Sequence, residues 1–146
     1  MKKIALMVMV LLVVQVDSAF ATIVPMKNAR AEGTISVIVS NKTAKPLQAW
    51  LSWSLDNLSW RSTQQITVDN NATQELAAAF RLLPMRINLR ALLHVSQEGY
   101  PEAVKEIINQ RYQADSYGVY VGMQKVFGPF KTTVTPNSDG TLSIDL

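Results

Sequence analysis

The stretch Met85-Arg-Ile-Asn-Leu-Arg-Ala-Leu-Leu-His-Val95 (MRINLRALLHV) alternates apolar and polar side chains along its length. In an extended chain, one face would carry Met85, Ile87, Leu89, Ala91, Leu93 and Val95. The opposite face would carry Arg86, Asn88, Arg90, Leu92 and His94. A helix would mix these two sets, whereas a strand separates them because successive side chains point to opposite faces. The stretch therefore predicts a β-strand with one face in a core.

Segments with the same alternation occur on both sides of this strand. They cover residues 34–40, 47–55, 64–68, 117–123, 132–135 and 141–146, and turn-forming residues separate them. The last two segments are expected to form a hairpin with Leu142, Ile144 and Leu146 facing inward. The segment 72–83 fits either a helix capped by Asn71 or a strand. We favour the strand because its neighbours along the chain are strands.

One helix is expected after Gly99-Tyr100-Pro101. Pro101 suits the first position of a helix, and Val104, Ile107 and Ile108 then form an apolar stripe. About seven short strands separated by turns, with one such helix, are typical of a sandwich and not of alternating strand and helix units. The predicted fold is mainly β, an antiparallel immunoglobulin-like β-sandwich with one short α-helix.

The first 21 residues have the layout of a secretory signal peptide. Lys2 and Lys3 precede an apolar run at 4–14, and Ala19-Phe20-Ala21 offers a cleavage site. The run is shorter than the ~20 residues that a spanning helix needs, so no membrane span is expected after cleavage. Residues 22–146 are expected to form a single domain. Export without any cysteine favours a bacterial periplasm or cell surface, or secretion, with packing as the source of stability.

Few residues could carry catalysis or hold a cofactor. A single histidine and no cysteine exclude a histidine-rich zinc site and a thiolate nucleophile. Glu102 and Glu106 are expected on a solvated helix face, and a serine–histidine pair built around His94 stays open. The net charge of +3 is too small to indicate a nucleic-acid partner. We expect a protein that is not an enzyme and has no cofactor, no metal site and no nucleic-acid partner.

The polar face of the 85–95 strand and the tryptophans are the candidate contact surfaces. Arg86, Arg90 and His94 could bind a carboxylate, a phosphate or an acidic strand, or could form a solvated face that resists aggregation. Strand parity places Trp53 in the core and Trp50 on a polar face. Trp50, with a neighbouring aromatic such as Trp60, is therefore the candidate contact for a sugar or a lipid headgroup.

Three Asn-x-Ser/Thr triplets begin at Asn41, Asn57 and Asn71, each in a turn-like stretch. In a bacterial protein they are expected to be turn residues and not glycosylation sites.

Three runs carry a family resemblance: Ile23-Val-Pro-Met-Lys27, the strand from Gly33 to Asn41, and Pro46-Leu-Gln-Ala-Trp-Leu-Ser-Trp53. They resemble the start of the immunoglobulin-like N-terminal domain of periplasmic pilus chaperones. Phe80-Arg-Leu-Leu-Pro84, followed by the 85–95 strand, is similar to the long edge strand that this family offers to a subunit by strand pairing. The resemblance implies that Lys27 is an anchoring basic residue. It also implies that these side chains are lent to a client: Ile87, Leu89, Ala91 and Leu93.

Together these features predict an exported protein-binding domain. It would be an accessory, chaperone-like or structural component in the assembly of a bacterial surface fibre, and its partner would be another periplasmic or cell-surface protein. The expected contact residues are Lys27, Arg86, Ile87, Leu89, Arg90, Leu93 and His94. The alternatives are a carbohydrate- or lipid-binding module that uses Trp50, and a periplasmic inhibitor or immunity protein.

Overall fold

The computed structural model describes residues 31–82, 86–113 and 124–146. These ranges contain nine strands and no helix. The strands are β1 (Ala31–Asn41), β2 (Leu47–Ser54), β3 (Trp60–Ser62), β4 (Ile66–Val68), β5 (Thr73–Leu82), β6 (Arg86–Ser96), β7 (Ala103–Gln113), β8 (Gln124–Pro136) and β9 (Leu142–Asp145). The predicted signal peptide, Lys27 and the strand predicted at 117–123 lie outside the described residues.

The strands form two sheets, so the prediction of a mainly β fold is confirmed. The four-stranded sheet has the order β5-β1-β8-β9, and the five-stranded sheet has the order β3-β2-β6-β7, with β4 also paired to β2. Among the described strands, all pairs are antiparallel except β1 with β8, which are parallel. The prediction of a purely antiparallel arrangement is therefore wrong at this pair. No hairpin joins these two strands, because they lie far apart in the sequence, and so a parallel pairing is open to them.

The buried side chains of both sheets form one hydrophobic core. The alternation read from the sequence holds in β2, where Leu51 and Trp53 are buried and Trp50 faces the other side. It also holds in β6, where Leu89 and Leu93 are fully buried. Period-two alternation in these strands therefore identified the core correctly.

Residues 73–82 of the ambiguous segment form a strand, β5, as favoured. β5 pairs with β1 over ten consecutive residues and buries Leu76, Ala78 and Phe80. Ala77 and Ala79, which a helix would also accept, lie exposed on the opposite face. Pairing with β1 therefore outweighs the helical preference of the alanines.

The predicted helix after Pro101 is wrong, because this segment forms β7. Its register with β6 shifts between Ala91 and Leu92: Ala91 pairs with Ile108, whereas Leu92 pairs with Glu106. Ile107 is the extra residue of this bulge, so Ile107 and its neighbour Ile108 are both buried. A bulge therefore produces the adjacent pair of apolar residues that the sequence presents as a helical stripe.

The predicted C-terminal hairpin is confirmed, with one exception. β8 and β9 pair from Thr133 to Pro136, and Leu142 and Ile144 are buried. Leu146 is 60% exposed because it lies beyond the end of β9, so its predicted inward position is wrong.

Candidate functional site

The strand predicted to meet a partner lies inside the five-stranded sheet. β6 pairs with β2 on one edge and with β7 on the other. The side chains that the resemblance would lend to a client, Ile87, Leu89, Ala91 and Leu93, are buried in the core. Strand pairing with a partner through β6 is therefore wrong, because the chain's own strands occupy both edges. The backbone of Arg86 pairs with Gln113, while Lys27 lies outside the described residues.

The polar side chains of β6 instead belong to the face of the five-stranded sheet that points away from the core, here called the outer face. The cross-strand register places Trp50 opposite His94, and Ser54 lies between Trp60 and Arg90. Two predicted contact residues, Arg90 and His94, thus share this face with Trp50. The structure brings two separate predictions, a basic stripe and an exposed tryptophan, onto one surface.

Trp60, Arg90 and Glu106 form the first group on this face, the Trp60 cluster. Arg90 Nε and Nη2 both donate to Glu106 Oε2, at 3.0 and 2.6 Å. The guanidinium carbon lies 5.5 Å from the centre of the Trp60 ring, and Asn109 donates to Glu106 Oε1 at 3.2 Å. Trp60 remains 41% exposed. These contacts fix the orientation of Arg90 and leave part of the indole accessible to a ligand.

The Trp60 cluster also affects the ionisation of Glu106. Hydrogen bonds from Arg90, and then from Asn109, lower the pKa of the Glu106 carboxyl below its ordinary value. A carboxyl whose pKa is lower in the folded state stabilises the fold above its ordinary pKa, and this stabilisation is lost as the pH falls through the folded value. Because Arg90 and Glu106 are both partly exposed, solvent screens the pair and the effect on stability is small.

Replacement of Arg90 by glutamine is therefore expected to raise the pKa of Glu106 toward its ordinary value. The measurement is an NMR titration of the side-chain carboxyl groups in the two proteins. Asp139 is the internal control, because hydrogen bonds from Thr141 lower its pKa in the distant β8–β9 turn. A Glu106 titration that is unchanged in the variant would show that Arg90 does not hold this carboxylate.

Trp50, Ser52, His94 and Glu102 form the second group, the His94 cluster. The Trp50 and His94 rings are stacked, with centres 5.1 Å apart and planes inclined by 8°. Ser52 Oγ lies 2.7 Å from His94 Nε2. On the other side of the ring, His94 Nδ1 is buried without a hydrogen-bond partner, 3.8 Å from Glu102 Oε2. The imidazole is thus held between a hydroxyl group and a carboxylate, beneath an indole.

A serine, a histidine and a carboxylate in this order resemble the arrangement that activates a serine nucleophile. Acyl transfer also requires free N–H donors next to the nucleophile, to bind the developing oxyanion. Ser52 lies in an interior strand, opposite Ser62 of β3 and Leu92 of β6. The backbone groups of this strand take part in the hydrogen bonds with its two neighbouring strands. The described geometry therefore favours a role for Ser52 in orienting His94.

A cleft of about 400 Å³ lies at the end of β2, next to the Trp60 cluster, and its lining includes Ser54, which pairs with Trp60 and Arg90. Its lining also includes Trp53, Asp56, Arg61 and Arg81. Backbone N–H groups of Ser59 and Leu58 donate to the Asp56 carboxylate and lower its pKa. This carboxylate therefore stabilises the turn that contains it. None of the residues of the two clusters lines this cleft.

Within the described ranges, no group of three or more histidine, cysteine, aspartate or glutamate side chains could hold a metal ion. The same part of the chain contains no helix with the length and apolar character needed to cross a membrane.

Sequence reasoning missed Ser52, Glu102 and Glu106 as site residues. Each lies next to Arg90 or His94 only because β6 pairs with β2 and β7 in one register. No signal in the sequence pointed to them, because residues 103–106 read Ala-Val-Lys-Glu and do not alternate apolar and polar side chains. The helix was predicted instead from Pro101 and from the apolar stripe that includes Ile107 and Ile108, two residues that the bulge buries side by side.

No family model matches the chain, and no curated protein matches it. One similar solved structure is an NMR structure of a protein from Eubacterium rectale, with 5% sequence identity and a TM-score of 0.33. The match covers 77% of this chain and 87% of that chain. A likeness at this level carries no argument about the function.

Proposed function

We propose that the protein is an exported, non-enzymatic domain that binds another protein of the bacterial periplasm or cell surface through the outer face of the five-stranded sheet. One observation carries the proposal: two tryptophans stand on this face, each held in place by a cationic or imidazole side chain. Trp60 packs against Arg90, and Trp50 stacks on His94.

The chemistry of these side chains fits a protein interface. Tryptophan and arginine are the residues that most often dominate the binding energy of such interfaces. Ordering a side chain on binding costs free energy, and Arg90 is already ordered by its two hydrogen bonds to Glu106. The face therefore offers aromatic contact area at a low entropic cost.

The fold type and the biological role are further parts of the proposal. We take the two sheets around one core to be an immunoglobulin-like β-sandwich, which suits an accessory, chaperone-like or structural component of a surface fibre. The role does not include strand donation by β6, since its edges are occupied. A partner would instead lie flat on the outer face.

The test is recovery of an envelope protein by the purified chain from the organism that encodes it, followed by a binding constant measured with the purified partner. Trp60→Ala and Arg90→Glu are expected to weaken binding at least about tenfold, the loss typical of an aromatic or arginine anchor. Lys131→Glu, an exposed charge change on β8 of the other sheet, is the matched control and is expected to bind as the original protein does.

Equal binding by all of these proteins would overturn the proposal. The exposure of Trp60 also favours a second candidate, a glycan that stacks on the free side of the indole. In that case, soluble glycans would shift the tryptophan fluorescence of the purified chain, and Trp60→Ala would abolish the shift without any protein partner.

A further inference from the structure

In the described ranges, β5 forms one edge of the four-stranded sheet. Among the described residues β5 pairs only with β1, through ten consecutive residue pairs with no shift in register. The Asn41 N–H donates to the carbonyl of Ala72, the residue just before β5. The even-numbered residues of β5 therefore point their backbone N–H and C=O groups toward β1. By alternation, the N–H and C=O groups of residues 73, 75, 77, 79 and 81 point to the open edge.

This edge lacks the features that usually prevent one edge strand from pairing with another. Such features are prolines, bulges and charges that point inward. β5 contains no proline and no bulge, and its core-facing side chains include Leu76, Ala78 and Phe80. The other long edge strand, β7, is different: it carries a bulge, and Lys105 lies on its core-facing side, opposite the buried Leu93. The β5 edge is thus regular enough to accept another strand.

The sequence of β5 is complementary to itself in the antiparallel direction. If two copies meet with Ala78 opposite Ala78, Glu75 lies opposite Arg81 of the partner subunit, and Ala77 lies opposite Ala79 of the partner subunit. Glu75 and Arg81 are exposed on the same face of β5, and neither forms an ion pair with another described residue. Ser36 donates to Glu75 Oε1 at 2.6 Å, which leaves Oε2 for a guanidinium.

We propose that two copies of this chain associate through antiparallel pairing of their β5 strands, which joins the two four-stranded sheets into one sheet. Two symmetric ion pairs between Glu75 and Arg81 set the register, and the alanines between them let the backbones approach without obstruction. One pair of strands buries less than the 1,200–2,000 Å² or so of a standard interface. The dimer is therefore expected to depend on concentration. This inference does not rest on the proposed function.

A charge exchange tests the register by sedimentation equilibrium of the purified chain. Glu75→Arg and Arg81→Glu each place like charges opposite one another, and each is expected to raise the dimer dissociation constant at least about tenfold. The double variant restores both pairs with reversed sign and is expected to return to within about threefold of the original value. Lys105→Glu on β7 is the control for a charge change on an edge strand and should leave the constant unchanged.

A cross-link tests the contact directly, because the chain contains no cysteine of its own. A variant with both Ala77→Cys and Ala79→Cys is expected to form a disulfide-linked dimer on oxidation, since opposed residues of paired strands have the required spacing. Ala44→Cys, in an exposed turn, is the control and should stay monomeric. A protein that is monomeric at all concentrations, or a double charge variant that fails to recover, would overturn the proposal. Trp60→Ala should leave dimerisation intact, which separates this result from that of the partner-binding test.

Discussion

Replacement of Gly128 by alanine is expected to lower the free energy of unfolding by about 3 kcal/mol, by combining backbone strain with a steric clash. The φ angle of Gly128 is +111°, a conformation that residues with a side chain rarely adopt. A Cβ atom added here would lie 2.4 Å from the Ser36 carbonyl oxygen and 2.8 Å from the Phe130 nitrogen. Both of these atoms belong to the backbone, so neither can move aside without shifting a strand.

The position of Gly128 explains why the cost would spread through the sheet. In the parallel pairing of β1 with β8, Ile35 lies opposite Phe127 and Val37 lies opposite Phe130. Gly128 and the residue after it together face one residue of β1, which makes a bulge. Phe127, the residue just before the bulge, is buried in the core. A side chain at Gly128 would push β8 away from β1 at the middle of the four-stranded sheet.

Gly140→Ala is the matched control for this prediction, measured in the same chemical unfolding experiment. Gly140 also has a positive φ, +85°, but no atom lies within 4 Å of the place where its Cβ would stand. Its replacement is expected to cost about 1 kcal/mol, from backbone strain alone. Losses of equal size at the two glycines would show that the close approach of β1 contributes nothing.

The parts of the fold that were predictable are those that a strand reveals along its own length. The inward and outward faces of β2 and β6 follow from period two, and this pattern needs no knowledge of neighbouring strands. The prediction for β7 was wrong because one inserted residue, Ile107, reverses the inward–outward alternation of side chains in the middle of the strand. The parallel pairing of β1 with β8 was not predicted, because no local feature of a strand specifies which distant strand it will pair with.

The candidate site was only half predictable for the same reason. Arg90 and His94 could be placed on one face of a strand, and Trp50 on one face of another. Their partners come from cross-strand register, which joins residues that lie far apart in the chain. Glu106 was expected on a helix, so its two hydrogen bonds from Arg90 could not be foreseen. The sequence therefore indicated which side chains lie outside the core, but not which of them contact one another.

The expectation that the Asn-x-Ser/Thr triplets contain turn residues holds for Asn57 and Asn71. Both adopt positive φ angles, 64° and 57°, a conformation that asparagine accepts more readily than most residues do. Asn41 is a different case, because it lies at the end of β1 and its side chain has 0% exposure.

The Asn41 side chain uses all of its hydrogen-bonding groups inside the protein. Its Nδ2 donates to the carbonyl oxygens of Lys45 and Val68, at 2.8 and 3.0 Å. Its Oδ1 accepts from the backbone N–H of Thr43 at 2.9 Å and lies 2.6 Å from the Thr43 hydroxyl. Gln97 completes the network by donating to Thr43 Oγ1 at 2.6 Å and to the Lys45 carbonyl at 2.8 Å. The network joins β1 of one sheet to β4, and to the residue after β6, of the other.

Asn41→Ala is therefore expected to lower the free energy of unfolding by about 4 kcal/mol, because it leaves several buried donors and acceptors unsatisfied at once. The measurement is chemical unfolding, and Asn137→Ala is the matched control. Asn137 also makes two side-chain hydrogen bonds, to Thr141 and Ser143, but it lies in the exposed β8–β9 turn. Water can replace these bonds after the substitution, so the control is expected to change stability by less than about 1 kcal/mol. If both variants lost the same stability, burial of the Asn41 network would not be what joins the two sheets at this point.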